Sequence, residues 1–527
     1  MATGYEPELG NYKRIVQHAK YHTLPLPCGA SIVTCQELLL GPIICPHGLS
    51  SVNERRSSKS TFGIPGLPPA HPFHEVYNRL IARTDNWTSG QWMTERAGGS
   101  DVQNTETWAT YSPLPQKTGL QGRLDEGDYL ISGFKFFSSA TDAEITILLA
   151  KTETGKLSAF LAPLTKTIID SNGQPKVVTN GIRIHRLKTK LGTKQLPTAE
   201  IELKDVRAHL VGSLDRGVST ISHILNVTRA HACMGSAAGW RRCLSIAKNF
   251  ARGRSVWGTR LGELPLHLRT LAEMELKLRG STHLVFFTIA LMSFDENGFP
   301  GVVNAPLPKE GAEARVVLRT LTATSKAVIT KAASRGIQEC MEALGGVGYI
   351  DDPDDPENIA RAFRDSNVNS IWEGTTNVLS SEVVRNLLNN DHAEVFNGWV
   401  NRAIQSIMDE GLRDALDNSS SNLHCRLMSG KGNVDLLSDG RRIMFSLAWV
   451  VIGLLLAIDA QRDNDQMATE LARRWVLNGE SGMGEWLLPD VGGVSAQALF
   501  PEGKERSRWD YLIVWGDNQG RSGQSKI

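Results

Sequence analysis

Glu373 stands in the run Ser370-Ile371-Trp372-Glu373-Gly374-Thr375-Thr376-Asn377. Apolar Ile371 and Trp372 precede it, and small or hydroxylic residues follow. Such a frame predicts a carboxylate in a dry cleft, where it becomes a better base and suits removal of a proton from carbon. A helix-capping or salt-bridging glutamate fits the same run, and Arg361, Arg364 and Asp365 lie just upstream as partners for it or for one another.

Four other segments carry residues of comparable kind. Met93-Thr94-Glu95-Arg96-Ala97-Gly98-Gly99-Ser100-Asp101 joins the Thr94 hydroxyl, able to bond to a ring carbonyl or nitrogen, to two glycines that let backbone approach a ligand. An ordinary turn capped by Ser100 or Asp101 explains the same spacing. In Gly133-Phe134-Lys135-Phe136-Phe137-Ser138-Ser139, Phe137 offers a stacking surface for a flat heteroaromatic ring. Ser139, two residues on, shares its side of a strand; an aromatic core strand is the alternative. Arg254 suits a forked contact to pyrophosphate with Trp257 covering an apolar surface, or it is a surface arginine at a helix end. Leu344-Gly345-Gly346-Val347-Gly348-Tyr349 closes a helical stretch and brings backbone N–H groups near a ligand, or is a glycine cap alone. It is not GxGxxG and follows no strand, which argues against a Rossmann nucleotide site.

The elements that must position these groups change character along the chain. Residues 1–71 hold scattered prolines and a breaker-rich stretch from Phe62 to Pro69, and predict a poorly ordered or atypical leader. Short apolar runs at 129–133, 144–150, 157–162 and 198–203 read as strands of an antiparallel β-domain, with no room for crossover helices between them. From about residue 216 the apolar period becomes helical, over 218–250, 266–295, 320–344 and 380–388, and predicts a bundle. Beyond residue 390 a further helical region includes the apolar segment Ile443–Ile458 and an amphipathic helix over 465–476. Sixteen residues fall short of the roughly twenty a membrane span needs, so a buried helix is expected and no span.

Composition narrows the function classes. A net charge of +1 over 527 residues argues against nucleic acid as the main partner. Residues 391–527 carry fourteen Lys and Arg against nineteen Asp and Glu, a poor surface for neutralising DNA phosphates. Seven cysteines, an odd number without a CxxC pair, fit a reducing compartment. A cytoplasmic location is expected, with mitochondrial or peroxisomal placement left open.

Taken together, the Met-Thr-Glu-x-x-Gly-Gly-Ser-Asp, Leu-Gly-Gly-x-Gly-Tyr and Trp-Glu-Gly-Thr runs, in this order, resemble the acyl-CoA dehydrogenase family, and within it the AidB-like branch. Arg186–Gly192 and Arg254–Leu261 add to the likeness. The resemblance implies an α+β fold in which a central antiparallel β-domain (93–215) is followed by a C-terminal four-helix bundle (216–390) and a helical extension (391–527). Residues 72–92 would be the remnant of a truncated or replaced N-terminal helical domain. It also implies FAD, contacted by Met93, Thr94, Phe137, Ser139, Thr375 and Asn377, with Gly345 and Gly346 near its adenosine and pyrophosphate half. Arg254 and Trp257 would grip the FAD of a neighbouring subunit in a dimer or tetramer, and Ser100 would lie near the phosphates of an acyl-CoA or related thioester. Glu373 would remove the α-proton while a β-hydride leaves for flavin N5, with a second flavoprotein or oxygen as final acceptor. Two other readings accommodate the same residues: a flavin-binding response or interaction protein with little dehydrogenase activity, and a cofactor-free helical scaffold.

Overall fold

The computed structural model describes residues 67–516 apart from 69, 83, 119–121, 299–305, 430–433, 464, 496–497 and 499–503, so the leader expected over 1–71 falls almost wholly outside. Its contacts divide the chain into two units, Met1–Thr228 and Arg229–Ile527.

Among the described residues the first element of the first unit is α1 (Pro72–Ile81), which starts on a proline and on the His71 ring accepting from Phe73 N at 3.2 Å. Then come β1 (Ser89–Trp92), β2 (Trp108–Tyr111), β3 (Tyr129–Ser139), β4 (Ile145–Lys151) and β5 (Leu157–Pro163). A separate hairpin of β6 (Thr165–Ile169) and β7 (Pro175–Thr179) precedes β8 (Ile182–Leu187) and β9 (Thr198–Val211). Strands β4, β2, β3, β9 and β5 pair in that order and β5 returns to β4, closing a ring; β1 adds to β4 and β8 to β9.

Closure explains the sequence of β4 and β5. Ile145, Ile147 and Leu149 pack with Phe73, Val76 and Leu80 of α1, while Leu148 and Ala150 pack with Phe160, Ile201 and Trp92. Both faces are covered, so the strands are apolar throughout instead of alternating. The ring is antiparallel at β3–β9, β4–β5 and β5–β9, as expected. However, β1 runs parallel to β4, and β2 meets β4 in parallel at Trp108 and Lys151. The hairpin of β2 and β3 supplies the return path that a crossover helix would otherwise provide.

Helix α2 (Gly217–Gly253) straddles the division at 228: Ile221 and Ile224 complete the α1-side core, and the helix from Arg229 onward belongs to the second unit. A two-residue hairpin of β10 (Ser255–Val256) and β11 (Thr259–Arg260) follows, then α3 (Pro265–Asn297), α4 (Ala312–Ala343), α5 (Ile359–Ser366) and α6 (Thr376–Leu387). The chain continues through α7 (His392–Ile404), α8 (Glu410–Ser429), α9 (Val434–Ser438), α10 (Gly440–Asp463), α11 (Gln466–Val476) and α12 (Lys504–Trp515). One apolar cluster runs from Cys233 to Val514, so the helices after 390 share a core with those before.

Helix α10 is longer than its apolar segment because polar residues extend both ends. By length and composition it could cross a membrane, yet 89% of its apolar window is buried within the chain, as expected of a core helix. Among the described residues Cys233, Cys243, Cys340 and Cys425 form no disulfide, and the first three are buried; Cys28, Cys35 and Cys45 lie outside the described residues. Among the described residues no cluster of His, Cys, Asp and Glu suits a metal ion.

Candidate active site

In the first unit the Met93 and Phe137 segments form one local structure. Thr94 bridges Phe137 in antiparallel register, and Phe136 N donates to the Thr94 carbonyl at 2.9 Å. Glu95, which carried no expected role, pins them. Its carboxylate accepts from Lys135 Nζ at 2.6 Å, Thr107 Oγ1 at 2.6 Å and Glu106 N at 2.5 Å. Lys135 is fully buried and also donates to the Leu149 carbonyl at 2.8 Å. Burial pushes the Glu95 carboxyl up, but the Lys135 ammonium and the hydrogen bonds outweigh it and hold the group below the usual carboxylate range. The same burial pulls Lys135 below its ordinary value, partly offset by Glu95.

A register shift between Lys135 and Ser138 breaks the strand alternation, so Lys135 is buried while Phe137, two residues on, is 47% exposed. Phe136 meets it edge-on at 5.0 Å, and Lys188 Nζ sits 4.6 Å from its ring centre. Lys188, Arg186 and Arg96 converge on the buried Glu200, whose carboxyl is held down at about 2, first by the Arg186 and Lys188 hydrogen bonds. Ser139 shares a 2.9 Å hydrogen bond with the Thr198 hydroxyl, and its carbonyl accepts from Trp92 Nε1 at 2.9 Å. Met93 packs on the α1-side core. A Cβ on Gly98 would strike the Asp101 carbonyl, so the tight turn itself demands that glycine. Asp101 caps the next turn, accepting from Gln103 N and Asn104 Nδ2 at 3.0 Å each, and Ser100 is exposed beside it.

In the second unit Glu373 lies in a loop of left-handed backbone, with φ of 59° at Glu373 and 107° at Gly374. Two cations hold the loop by its carbonyls. Arg229 Nε donates to Glu373 O at 3.3 Å while its guanidinium forks onto Glu382 at 3.0 and 2.8 Å. Lys326, buried on α4, donates to Gly374 O at 2.7 Å. Burial pulls the Lys326 ammonium down to about 8, although the Glu373 charge favours its protonated form. The buried Cys233 thiol nearby is pushed up to about 12, chiefly by burial.

The dry frame expected from Ile371 and Trp372 is not what the chain builds: Ile371 is 61% exposed and Trp372 is exposed as well. A short 3-10 turn over Asn367–Ser370 runs directly into the left-handed loop, which leaves both side chains outside. Confinement comes instead from Arg229 and Lys326. Arg361 pairs with Asp365 and Arg364 with Asp351. Thr375 is the N-cap of α6, accepting from Val378 N at 3.5 Å, and Asn377 Oδ1 accepts from Arg441 Nε at 2.6 Å.

Arg254 directly follows α2, its N–H donating to the Phe250 carbonyl at 2.9 Å, and is an exposed arginine at a helix end; the β10–β11 hairpin that comes next carries Trp257 in its turn. Trp257 and Gly258, with φ of 51° and 80°, form its two-residue turn, and the indole is 92% exposed. Gly345 follows α4 with φ of 62°, the left-handed stop of a helix, and a Cβ on Gly345 or Gly346 would meet open space. The backbone at this corner is exposed.

Lys326, Arg229 and Glu95 escaped the sequence reading. A signal for Lys326 existed: it is the charged residue in the wholly buried run from Thr320 to Thr330.

Comparison with known proteins bears on both units. Residues 90–206 match the acyl-CoA dehydrogenase middle domain, and residues 215–388 match the acyl-CoA dehydrogenase C-terminal domain. The chain belongs to the acyl-CoA dehydrogenase family. Among its relatives are acyl-CoA dehydrogenase family member 11 of Caenorhabditis elegans, 34% identical over 432 residues, and the putative acyl-CoA dehydrogenase AidB of Escherichia coli, 33% identical over 296. These alignments take in 76% and 56% of this chain but 64% and 48% of the relatives, so the chain spans about half to two thirds of their length. The crystal structure of Caenorhabditis elegans ACDH-11 in complex with C11-CoA aligns with 98% of this chain and 81% of its own, at a TM-score of 0.68 and 29% identity. These likenesses place the chain with the AidB-like acyl-CoA dehydrogenases. The fold is that of the family, a β-rich middle domain and a C-terminal helical domain.

The Lys326 geometry carries a pH prediction. A lysine depressed to about 8 in the folded chain and near 10.5 when unfolded binds fewer protons folded than unfolded between those values. Its contribution to stability therefore rises as pH climbs from about 8 to 10.5. Chemical unfolding at a series of pH values should show this increment in the parent and a flatter profile in Lys326→Met.

Proposed function

We propose that this acyl-CoA dehydrogenase family member is an FAD-dependent oxidoreductase that acts on the CH–CH bond next to a thioester carbonyl, with Glu373 as the α-proton base. The observation that carries the reading is the Glu373 loop: a carboxylate in left-handed backbone, with the carbonyls of residues 373 and 374 held by the partly buried Arg229 and the buried Lys326. Strained backbone at a reactive group persists when its surroundings over-determine it.

The donor set fits FAD. The exposed ring of Phe137, the Thr94 and Ser139 hydroxyls and the open backbone of Gly345 and Gly346 are groups that a flat ring system and a pyrophosphate use. When bound, FAD accepts the hydride from the β-carbon, which the protein cannot do unaided. Glu373 takes the α-proton as the α,β double bond forms. Lys326 and Arg229 hold the loop by its carbonyls, and the Lys326 ammonium lies near enough to the Glu373 carboxylate for the two charges to attract. Thr375 and Arg441–Asn377 fix the first turn of α6 behind it. Hydrogen bonds to the thioester carbonyl would stabilise its developing negative charge.

The substrate is proposed to be an acyl-CoA, in keeping with the C11-CoA of the ACDH-11 structure. Electrons would pass on to another flavoprotein or to oxygen. We assign Ser100 to the thioester's phosphate side, and Arg254 with the adjoining Trp257 hairpin to a neighbouring subunit's FAD in a homo-oligomer. Purified protein should carry visible flavin absorbance that an anaerobic panel of acyl-CoA thioesters of graded length bleaches. Protein without flavin, or flavin that none of the panel bleaches, would contradict the reading.

The hairpin gives a separate expectation. Trp257→Gly relieves a bulky residue at positive φ, so the folded chain should keep its stability within about 1 kcal/mol. Sedimentation should nevertheless show weakened self-association. Unchanged assembly would remove Trp257 from the interface.

A further inference from the structure

A concave site of about 290 Å³ lies within the second unit, near the lower end of ligand-pocket volumes. It is walled by Trp240 of α2, Phe445 of α10, Trp475 of α11 and Trp486 of the following loop, with Lys331 and Arg335 of α4 at its side. Lys331 is five residues beyond Lys326 on α4, so the two side chains leave the helix in different directions.

The walls are built for flatness. A Cβ on Gly336 would strike the Trp240 indole, so glycine is what lets that indole lie against α4. Phe445 stacks on Trp486 at 5.2 Å with 26° between the rings. Trp475 has its own donor satisfied by the Trp449 carbonyl at 3.1 Å and presents a ring.

The charge is uneven. Lys331 Nζ lies 5.3 Å, Arg335 Cζ 4.6 Å and Arg441 Cζ 5.8 Å from the centre of the Trp486 ring. Three cations on one indole gain cation–π attraction but repel one another. Arg335 is answered by Glu485 at 2.8 Å, and Arg441 donates to Asn377. Among the described residues Lys331 has no carboxylate within 4.0 Å; burial first, then Arg441 and Arg335, hold its ammonium below the ordinary lysine value. Of the acids lining the cavity, Glu273 is engaged by Lys277 at 3.9 Å and Glu339 is exposed one turn beyond Arg335. An anion placed at Lys331 and Arg335 would relieve the like-charge repulsion, and an aromatic body behind it would fill the box.

We propose that this cavity is a second ligand site, distinct from the Glu373 loop, for a small aromatic anion whose charged group sits between Lys331 and Arg335. The flat aromatic walls favour an aryl body over a flexible chain.

The test is isothermal titration of the full chain with 2-naphthoate and with its neutral analogue 2-naphthamide, followed in parallel by tryptophan fluorescence. Saturable naphthoate binding that quenches tryptophan is expected, with naphthamide about tenfold weaker for want of a charge-assisted contact. Lys331→Met should lose about tenfold in naphthoate affinity while its naphthamide affinity is unchanged. The comparison of the two ligands on the parent protein stands even if the variant does not fold. Equal affinity for both ligands, no saturable binding, or naphthoate binding that Lys331→Met leaves intact would each overturn the proposal.

Discussion

Glu95→Gln should destabilise the first unit by about 3–5 kcal/mol, because it leaves the Lys135 ammonium buried without its counter-charge. Glutamine keeps the shape of the side chain, but its single amide oxygen replaces only one of the two carboxylate oxygens, so the loss combines the charge with either the Glu106 N–H contact or the Thr107 and Lys135 contacts. Lys135 is fully buried and 2.6 Å from Glu95, so solvent cannot take over the role. Lys135→Met alone should cost a similar amount, whereas the double variant Glu95→Gln/Lys135→Met should recover much of it, since no lone charge remains. Urea unfolding of the three variants reads the pattern, and additive losses would show that the pair is not coupled. The sign with pH follows from the folded pKa of Glu95, which lies below the unfolded value near 4.5. The stabilisation is complete above that value and disappears as pH falls through the folded pKa. Since the pair anchors the Thr94–Phe137 bridge, both single variants should also retain less flavin after purification.

Glu373→Gln gives the second large effect. Turnover should fall by a factor on the order of 10³, within the usual range for losing a positioned general base. Flavin content and thermal stability should hardly change, because Arg229 and Lys326 grip the backbone carbonyls of residues 373 and 374 and not the carboxylate alone. Rapid-mixing measurements of acyl-CoA-dependent bleaching separate this from a binding defect: the limiting rate falls, while the concentration giving half of it stays near the parent value. A rise in that concentration with the limiting rate preserved would instead make Glu373 a binding residue.

Much of this arrangement was legible in the chain. The four strand runs and the long helices follow from apolar periodicity, but β3 and β9 extend to Ser139 and Val211, well past the expected 133 and 203, and α4 starts at Ala312 instead of 320. The three linked motifs were legible because the residue types are chemically specific and their order is fixed. What escaped is long-range. Nothing near Glu95 in sequence marks Lys135 as its partner, since the two meet only where the Thr94–Phe137 bridge sets the segment after β1 against β3. Parallel pairing of β1 with β4 has the same origin. The expected apolar shelter of Glu373 failed for a local reason: the side chains before a left-handed residue leave in directions that hydropathy does not encode. The hairpin turn at Trp257-Gly258 was likewise not read from the sequence, because it rests on positive φ at Trp257, a residue type that does not favour it.

The most direct test of the central claim is α-proton exchange. The flavin-loaded protein is incubated with an acyl-CoA thioester in D₂O, without an electron acceptor, and deuterium at the α-carbon is followed by NMR. The account predicts exchange catalysed by the parent protein and exchange at the uncatalysed rate in Glu373→Gln of equal flavin content. Exchange at the parent rate in Glu373→Gln would contradict it.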